Sequence, residues 1–130
     1  MRILLVSSDA ATRELAAVTV RGLARTSGGP VQFFEASDGV KGIAAAWKHL
    51  PDAVIADEIM SRAGGFALAR DLKMATRPFP GVVVILLERS QDAWLASWSG
   101  ADAWFVKPVN PFDLAGWVAK ALDSRDEEAV

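Results

Sequence analysis

The sequence has 130 residues, of which 52% are hydrophobic and 23% charged, a composition typical of one folded domain and not of a disordered chain. The net charge of −2 offers no basic surface for nucleic acid or for an acidic membrane, and the lack of cysteine excludes disulfides and thiolate chemistry. The apolar run at residues 3–6 is too short for a signal peptide, and no run approaches the roughly 18 apolar residues of a membrane span. We therefore expect a soluble, cytoplasmic protein.

The first half of the chain alternates between short apolar runs and stretches in which apolar residues recur at helical spacing. Ser27-Gly28-Gly29-Pro30 is predicted to form a loop, and Ser37-Asp38-Gly39 a turn that caps a helix. The predicted elements are a strand at residues 2–6, a helix from 10 to about 25, a strand at 31–36, a helix at 40–50 and a strand that ends at Asp57.

The second half repeats this alternation. Its predicted elements are a helix at residues 66–75, a strand at 82–87, a short helix at 91–99, a strand at 103–106, and a helix that Asn110 caps and that runs from Pro111 through Leu122. Strand and helix alternate five times with short connections, which predicts an α/β fold with a five-stranded parallel sheet and helices on both faces. Residues 124–130 are predicted to be a charged tail with nothing to bury.

Asp57 is the leading candidate for a functional residue. The apolar run before it, residues 53–56, reads as a strand buried on both faces, and the run stops at this carboxylate. Functional sites in open parallel sheets form outside the carboxyl ends of the strands. The position of Asp57 is therefore one at which chemistry is common.

A set of residues around Asp57 carries a family resemblance. They are Pro51-Asp52, Met60 and Gly65 near Asp57, Arg13 in the first helix, and the run Gly100-Ala101-Asp102-Ala103-Trp104-Phe105-Val106-Lys107-Pro108. With these residues the chain resembles the receiver domain of bacterial two-component response regulators, over residues 2 to about 122. The resemblance implies the flavodoxin-like (βα)5 receiver fold for residues 1–123 and leaves 124–130 as the tail.

The resemblance also implies roles for individual side chains. Asp57 would accept a phosphoryl group from a histidine kinase, and Lys107 would pair with the phosphoryl oxygens. Two acids after the first strand would hold Mg²⁺, and a serine or threonine at the end of the fourth strand would bond the phosphoryl group. Trp104 holds the position of the aromatic residue that responds by swinging inward.

Three positions depart from the family pattern. The acidic pair is replaced by Ser7 and Ser8, and the hydroxyl position is Leu87, with Ile85 as the alternative if the loop lengths differ. Ser61 replaces the proline usually found four residues after the acceptor. Because Mg²⁺ prefers carboxylate oxygens, we expect weak Mg²⁺ binding at most and no other cofactor.

Two arrangements around Asp57 follow as alternatives. In the first, Asp57 and Lys107 form a permanent ion pair that keeps the carboxylate charged without a metal. In the other, Asp9 and Glu58 join Asp57 in a substitute cation site. Arg13 argues against the register shift that would bring Asp9 into the place of the missing acids.

The tryptophans indicate a surface for partners. Trp94 and Trp98 lie four residues apart on the short helix and so share a face, and Trp117 lies on the last helix. In receivers, the face made by the fourth helix, fifth strand and fifth helix is where partners or a second copy dock, and tryptophan is enriched at interface anchors. The alternative is that these rings fill the core. His49 is expected to be a helix-end or surface residue.

Three functional hypotheses follow. The first is an atypical, non-enzymatic receiver that docks a histidine kinase or other signalling protein, or forms a homodimer, with weak or no phosphorylation of Asp57. The few residues after Leu122 leave no room for a DNA-binding output domain, so its effect would pass through protein contacts. The second is a working phosphorelay receiver. The third, a small enzyme or cofactor binder, lacks support because no glycine-rich phosphate loop follows the first strand and the chain has one histidine.

Overall fold

The computed structural model describes residues 1–27 and 30–129, with residues 23–27 and 125–129 described by their backbone alone. In this part of the chain, five parallel strands form one sheet in the order β2-β1-β3-β4-β5. The strands are β1 Arg2–Val6, β2 Gln32–Ala36, β3 Ala53–Asp57, β4 Val82–Leu87 and β5 Ala103–Val106. The helices are α1 Ala10–Ser27, α2 Gly39–His49, α3 Gly65–Lys73, α4 Ala93–Ser99 and α5 Pro111–Ala129. The predicted fold class is confirmed.

Helices cover both faces of the sheet because the central strands are apolar on both sides. Alternate residues of β1 show this: Leu4 and Val6 lie in one buried cluster, and Ile3 and Leu5 in another. The first cluster also contains residues of α2, α3 and α4, and the second contains residues of α1 and α5. The sheet therefore separates two cores, which we call the α2–α4 side and the α1–α5 side.

Helix caps lie where the sequence predicts them. The Asp38 side chain accepts a hydrogen bond from the Lys41 backbone N–H at 2.8 Å and begins α2. Asn110 Oδ1 accepts from the N–H of Phe112 at 2.9 Å and begins α5. Gly39 is required at the first turn of α2, because a Cβ there would lie 2.1 Å from the carbonyl oxygen of Ala63. These caps fix the ends of helices beside the carboxyl edge of the sheet.

Several element boundaries differ from the prediction. The helix α1 continues to Ser27, and residues 28 and 29 of the predicted loop lie outside the described residues. A single 3₁₀ turn, Ser90–Asp92, precedes α4. The backbone of α5 stays helical to Ala129, beyond the predicted end at Leu122, so the predicted tail begins as helix. The division of the chain at residue 123 stays a prediction.

The carboxyl ends of the five parallel strands lie at one edge of the sheet. Backbone hydrogen bonds continue one residue past the strand ends there: Glu58 N donates to Leu86 O at 2.9 Å, and Lys107 N donates to Leu87 O at 2.8 Å. The residues after β3, β4 and β5 are thereby held side by side. No helix in the described ranges is long and apolar enough to cross a membrane.

Candidate functional site

Asp57 is the last residue of β3 and is only 4% exposed. Its Oδ2 accepts a hydrogen bond from the Ser7 hydroxyl at 2.7 Å. Its Oδ1 lies 2.5 Å from Lys107 Nζ, and among the described residues this ammonium group is the contact that compensates Oδ1. Both oxygens of the carboxylate are therefore engaged by groups of the chain itself.

Ser7 and Ser8, the two positions of the missing acids, have different surroundings. Ser7 is 2% exposed, and its hydroxyl also accepts a hydrogen bond from Asp9 N at 3.0 Å. Ser8 is exposed and donates to the Ser37 carbonyl oxygen at 2.9 Å. Of the two serines, the structure brings Ser7 to Asp57 and directs Ser8 towards the end of β2.

Arg13 anchors this corner of the site from α1. Its Nη1 donates to the carbonyl oxygen of Ser7 at 2.6 Å, and its Nε lies 3.1 Å from Glu35 Oε1. The backbone of Ser7 is thereby tied to both α1 and β2. This contact places Arg13 beside the residue that directly follows β1.

Lys107 links two carboxylates across the edge of the sheet. Its Nζ lies 2.5 Å from Asp57 Oδ1 and 2.6 Å from Glu88 Oε1, and the peptide bond to Pro108 is cis. Burial lowers the pKa of the Lys107 ammonium, but the hydrogen bonds to Asp57 and Glu88 outweigh burial and raise it above its ordinary value. The ammonium is therefore held charged between two anions.

Glu88 is a site residue that the sequence analysis missed. It follows β4 directly, and its N–H donates to Glu58 Oε1 at 3.0 Å. The signal was present, since an acid that follows a buried strand lies at the same edge as Asp57. The sequence pattern does not show that Glu88 and Asp57 share one lysine.

No family model matches the sequence. It is 30% identical over 127 residues to the DNA-binding dual master transcriptional regulator RpaA of Synechocystis, covering 96% of this chain and 50% of that protein. It is 35% identical over 108 residues to a protein-glutamate methylesterase/protein-glutamine glutaminase of Anaeromyxobacter dehalogenans, covering 83% of this chain and 29% of that protein. The chain thus spans half or less of the length of these relatives.

Solved structures match the whole fold. The signal receiver domain of a signal transduction histidine kinase from Syntrophus aciditrophicus superposes with a TM-score of 0.76 at 25% identity, covering 95% of this chain and 90% of that one. The chain is a response-regulator receiver domain. The (βα)5 topology and the strand-end positions of Asp57 and Lys107 are those expected of this receiver.

The side chains of this receiver do not fit the Mg²⁺ ion that the family implies. Asp57 already contacts Ser7 and Lys107, and Asp9 caps α1 by accepting from Thr12 Oγ1 at 2.7 Å and from Ala11 N at 3.2 Å. The hydrogen bond from Thr12 lowers the pKa of Asp9. In the described ranges, no three His, Cys, Asp or Glu side chains are grouped to hold a metal ion. The substitute site of Asp9, Glu58 and Asp57 is therefore not assembled there.

The two predicted switch positions of the receiver lie in one apolar cluster. The register pairs Asp57 with Leu86, so the strand-end position is Leu87, and Ile85 pairs with Ala56 one step inside the sheet. Leu87 is fully buried on the α2–α4 side, and Trp104 packs against the same cluster. The position of the family hydroxyl is therefore filled by core.

An acidic pair lies beside the receiver site. Burial raises the pKa of Glu58, and the adjacent Asp92 raises it further. Asp92 is itself buried and accepts from Arg89 Nη2 at 3.1 Å and Nε at 3.3 Å, and this guanidinium lowers the pKa of Asp92. The two adjacent carboxyls are therefore shifted in opposite directions, with the pKa of Glu58 raised and that of Asp92 lowered.

The three tryptophans of the predicted partner face of the receiver have different surroundings. Trp94 and Trp98 are 67% and 53% exposed on α4. The Arg70 guanidinium lies 3.9 Å from the Trp98 ring centroid and donates to the Trp98 carbonyl oxygen at 3.1 Å. Trp117 instead packs partly buried on the α1–α5 side, away from α4. The partner face that includes all three rings therefore stays a prediction, with Trp94 and Trp98 exposed on α4 and Trp117 partly buried on α5.

A groove runs beside the exposed Trp98 of the receiver. It has a volume of about 770 Å³ and is open to solvent, with Trp47, Arg70, Met74 and Trp98 among its lining residues. Helices α2, α3 and α4 contribute to its walls.

His49, at the end of α2, stacks on Phe34 with ring centroids 4.0 Å apart, a packing role that agrees with a helix-end residue.

Proposed function

We propose that this receiver domain acts in two-component signalling by docking to a protein partner, with little or no Mg²⁺-dependent phosphorylation of Asp57. The observation that carries the proposal is the closed contact set of Asp57, in which Ser7 and Lys107 engage the two carboxylate oxygens at 2.7 and 2.5 Å. A phosphoryl group would have to displace one of these contacts before it reached the acceptor oxygen.

Without the two acids, the site should bind weakly the Mg²⁺ ion that phosphoryl transfer needs. A carboxylate about 4 Å from a unit charge contributes about 4 kcal/mol at an effective dielectric of about 20. A Mg²⁺ site with a dissociation constant of about 1 mM has only about 4 kcal/mol of binding free energy in total. Replacing two acids with Ser7 and Ser8 therefore removes enough attraction to leave little affinity. Phosphoryl transfer depends chiefly on such charge stabilisation.

The buried Leu87 supports the same proposal, because it bears on the conformational response to phosphorylation. A receiver that latches onto a phosphoryl group needs a hydroxyl at this position, and the Leu87 side chain has no hydrogen-bonding atom. The adjacent Trp104 packs against the same apolar cluster. We infer that phosphate on Asp57 would produce little conformational change.

We infer that the partner docks on α4, at the exposed Trp94 and Trp98 and the groove beside them. Large, exposed aromatic rings next to a positioned arginine have the composition of an interface anchor. The partner is a histidine kinase or another signalling protein. A homodimer through α4, β5 and α5 is the alternative outcome of the test.

The mass of the domain in solution tests the docking surface. We expect the wild type and Trp98→Ala to have the monomer mass, because we infer that the groove binds a protein other than a second copy of this chain. Leu15→Ala is the control, since Leu15 is 55% exposed on α1. A dimer that Trp98→Ala alone dissociates would make a second copy the occupant.

We also infer that the domain has no catalytic activity of its own, binds no nucleic acid or membrane, and works in the cytoplasm. The cysteine-free sequence and its net charge of −2 support these inferences. The methylesterase activity in the name of one relative belongs to a protein of which this chain spans 29%.

The deciding experiment is incubation with acetyl phosphate and Mg²⁺, read out by intact mass. We expect the wild type and Asp57→Asn to remain equally unmodified. Stoichiometric, acid-labile phosphate on the wild type that Asp57→Asn abolishes would overturn the proposal. It would support the second candidate, a working phosphorelay receiver, which the proximity of Asp57 and Lys107 favours.

A further inference from the structure

The contact between Lys107 and Glu88 lies on the solvent side of the site. The side chain of Asp57 is 5% exposed, that of Lys107 is 27% exposed and that of Glu88 is 39% exposed. The three charges therefore form a row that runs outward from the buried acceptor. An anion that approaches Lys107 from solvent meets the carboxylate of Glu88 first.

Glu88 is held in this position by the backbone around it. Its own N–H donates to Glu58 Oε1 at 3.0 Å, and the N–H of Lys107 donates to Leu87 O at 2.8 Å. The strand ends of β4 and β5 are thereby locked side by side. The pairing at 2.6 Å thus joins residues whose main chains are already adjacent, unlike a surface ion pair between two free side chains.

The charge balance of the row disfavours a third anion. An ammonium group has three donors, and Asp57 and Glu88 each take one. The two carboxylates carry two negative charges against one positive charge on Lys107. A phosphate-like dianion would have to displace Glu88 or remain beside its charge.

We propose that Glu88 is the built-in anion of this receiver, occupying the place at Lys107 that an oxygen of an external phosphate-like anion would otherwise take. Glu88 thereby disfavours the binding of such anions at this site. It also positions Lys107 against Asp57 when no ligand is bound. This inference rests on the proposed function, because it explains how the site stays closed to phosphate. It adds a residue that the missing acidic pair does not involve.

The test is a titration with inorganic phosphate, followed by the NMR signals of the Lys107 side chain. We expect no saturable shift in the wild type. In Glu88→Gln, which keeps the size of the side chain and removes its charge, we expect saturable binding at least tenfold tighter than any wild-type binding. Glu14→Gln is the matched control, because it also removes one negative charge but lies on α1, 69% exposed and 3.9 Å from Arg21.

A second readout is the titration of the Lys107 ammonium without phosphate. Because Glu88 helps to raise the pKa of Lys107, that pKa should fall in Glu88→Gln and stay unchanged in Glu14→Gln. The double variant Glu88→Gln/Lys107→Met should lose the phosphate binding gained. Glu88→Ala provides the same comparison if the glutamine variant does not fold.

Equal phosphate binding by the wild type, Glu88→Gln and Glu14→Gln would overturn the inference, as would an unchanged Lys107 pKa. The proposed function fails by a different result, which is covalent phosphate on Asp57 of the wild type. The two failures are therefore distinguishable.

Discussion

Ser7 and Asp57 form a buried pair in which the serine hydroxyl donates to Oδ2 of the carboxylate across 2.7 Å. One of the two serines that replace the family acids has thus become a direct partner of the residue that those acids would have flanked. At the position where the resemblance implies a metal ligand, this chain has a hydrogen-bond donor. We expect this buried hydrogen bond to stabilise the fold.

Replacing Ser7 with Ala should lower the free energy of unfolding by about 1–3 kcal/mol, because it leaves a buried, charged acceptor without its donor. Urea denaturation measures this. Ser8→Ala is the matched control and should cost less than about 1 kcal/mol, since the Ser8 hydroxyl is exposed. Equal losses in the two variants would show that the Ser7 contact is not a stabilising one.

Replacing Lys107 with Met should cost about 2 kcal/mol or more, because it leaves the buried charge of Asp57 uncompensated. The figure is placed below that of a fully buried pair because Lys107 is partly exposed. The double variant Asp57→Asn/Lys107→Met should lose less than the sum of the two single variants. Strict additivity in this double-mutant cycle would contradict a coupled pair.

Glu58 should make the stability of the domain depend on pH. Its pKa is raised above 4.5 in the folded state by burial and by Asp92, so its stabilising contribution is complete below pH 4.5 and is lost as the pH rises through the folded pKa. Asp92 has the opposite effect because its pKa is lowered. Its stabilising contribution is complete above pH 3.8 and is lost as the pH falls through the folded pKa. Unfolding free energies measured upward from pH 4.5 should therefore fall less steeply in Glu58→Gln than in the wild type, and parallel curves would refute the assignment.

Restoring acids at Ser7 and Ser8 should restore a magnesium site. We expect Ser7→Asp/Ser8→Asp to bind Mg²⁺ with a dissociation constant of about 1 mM or tighter, worth about 4 kcal/mol, and the wild type to show no saturable binding in that range. Tryptophan fluorescence follows the titration, because Trp104 packs in the cluster that contains the strand-end residue Leu87. Saturable binding by the wild type in the same range would show that the serines are adequate ligands.

Tryptophans on α4 and β5 should differ in their effect on stability. Trp98→Ala should cost about 1 kcal/mol or less, because the ring is half exposed and its described contact is the cation–π pair with Arg70. Trp104→Ala should cost about 3 kcal/mol, because the ring packs against the core. Thermal and urea unfolding of both variants test this. Similar costs would mean that Trp98 is a core residue and leave the docking surface without its anchor.

The sequence alone determined the five strands, their alternation with helices, and the positions of Asp57 and Lys107 at strand ends. These follow from local rules, since apolar runs and helical spacing reflect backbone hydrogen bonding within a few residues. The exact ends of α1 and α5 did not follow, because capping signals constrain helix ends only loosely.

Only the tertiary structure decided which side chains at the carboxyl edge pair with one another. Strand order brings Ser7, Asp57, Glu88 and Lys107 together from four different strand ends. The sequence pattern does not show that Ser7 rather than Ser8 contacts Asp57, or that Trp117 lies on the opposite side of the sheet from α4. These contacts depend on distances of a few ångströms between residues that are far apart in sequence. Hydrogen bonds and ion pairs depend on such distances, and a linear pattern does not contain them.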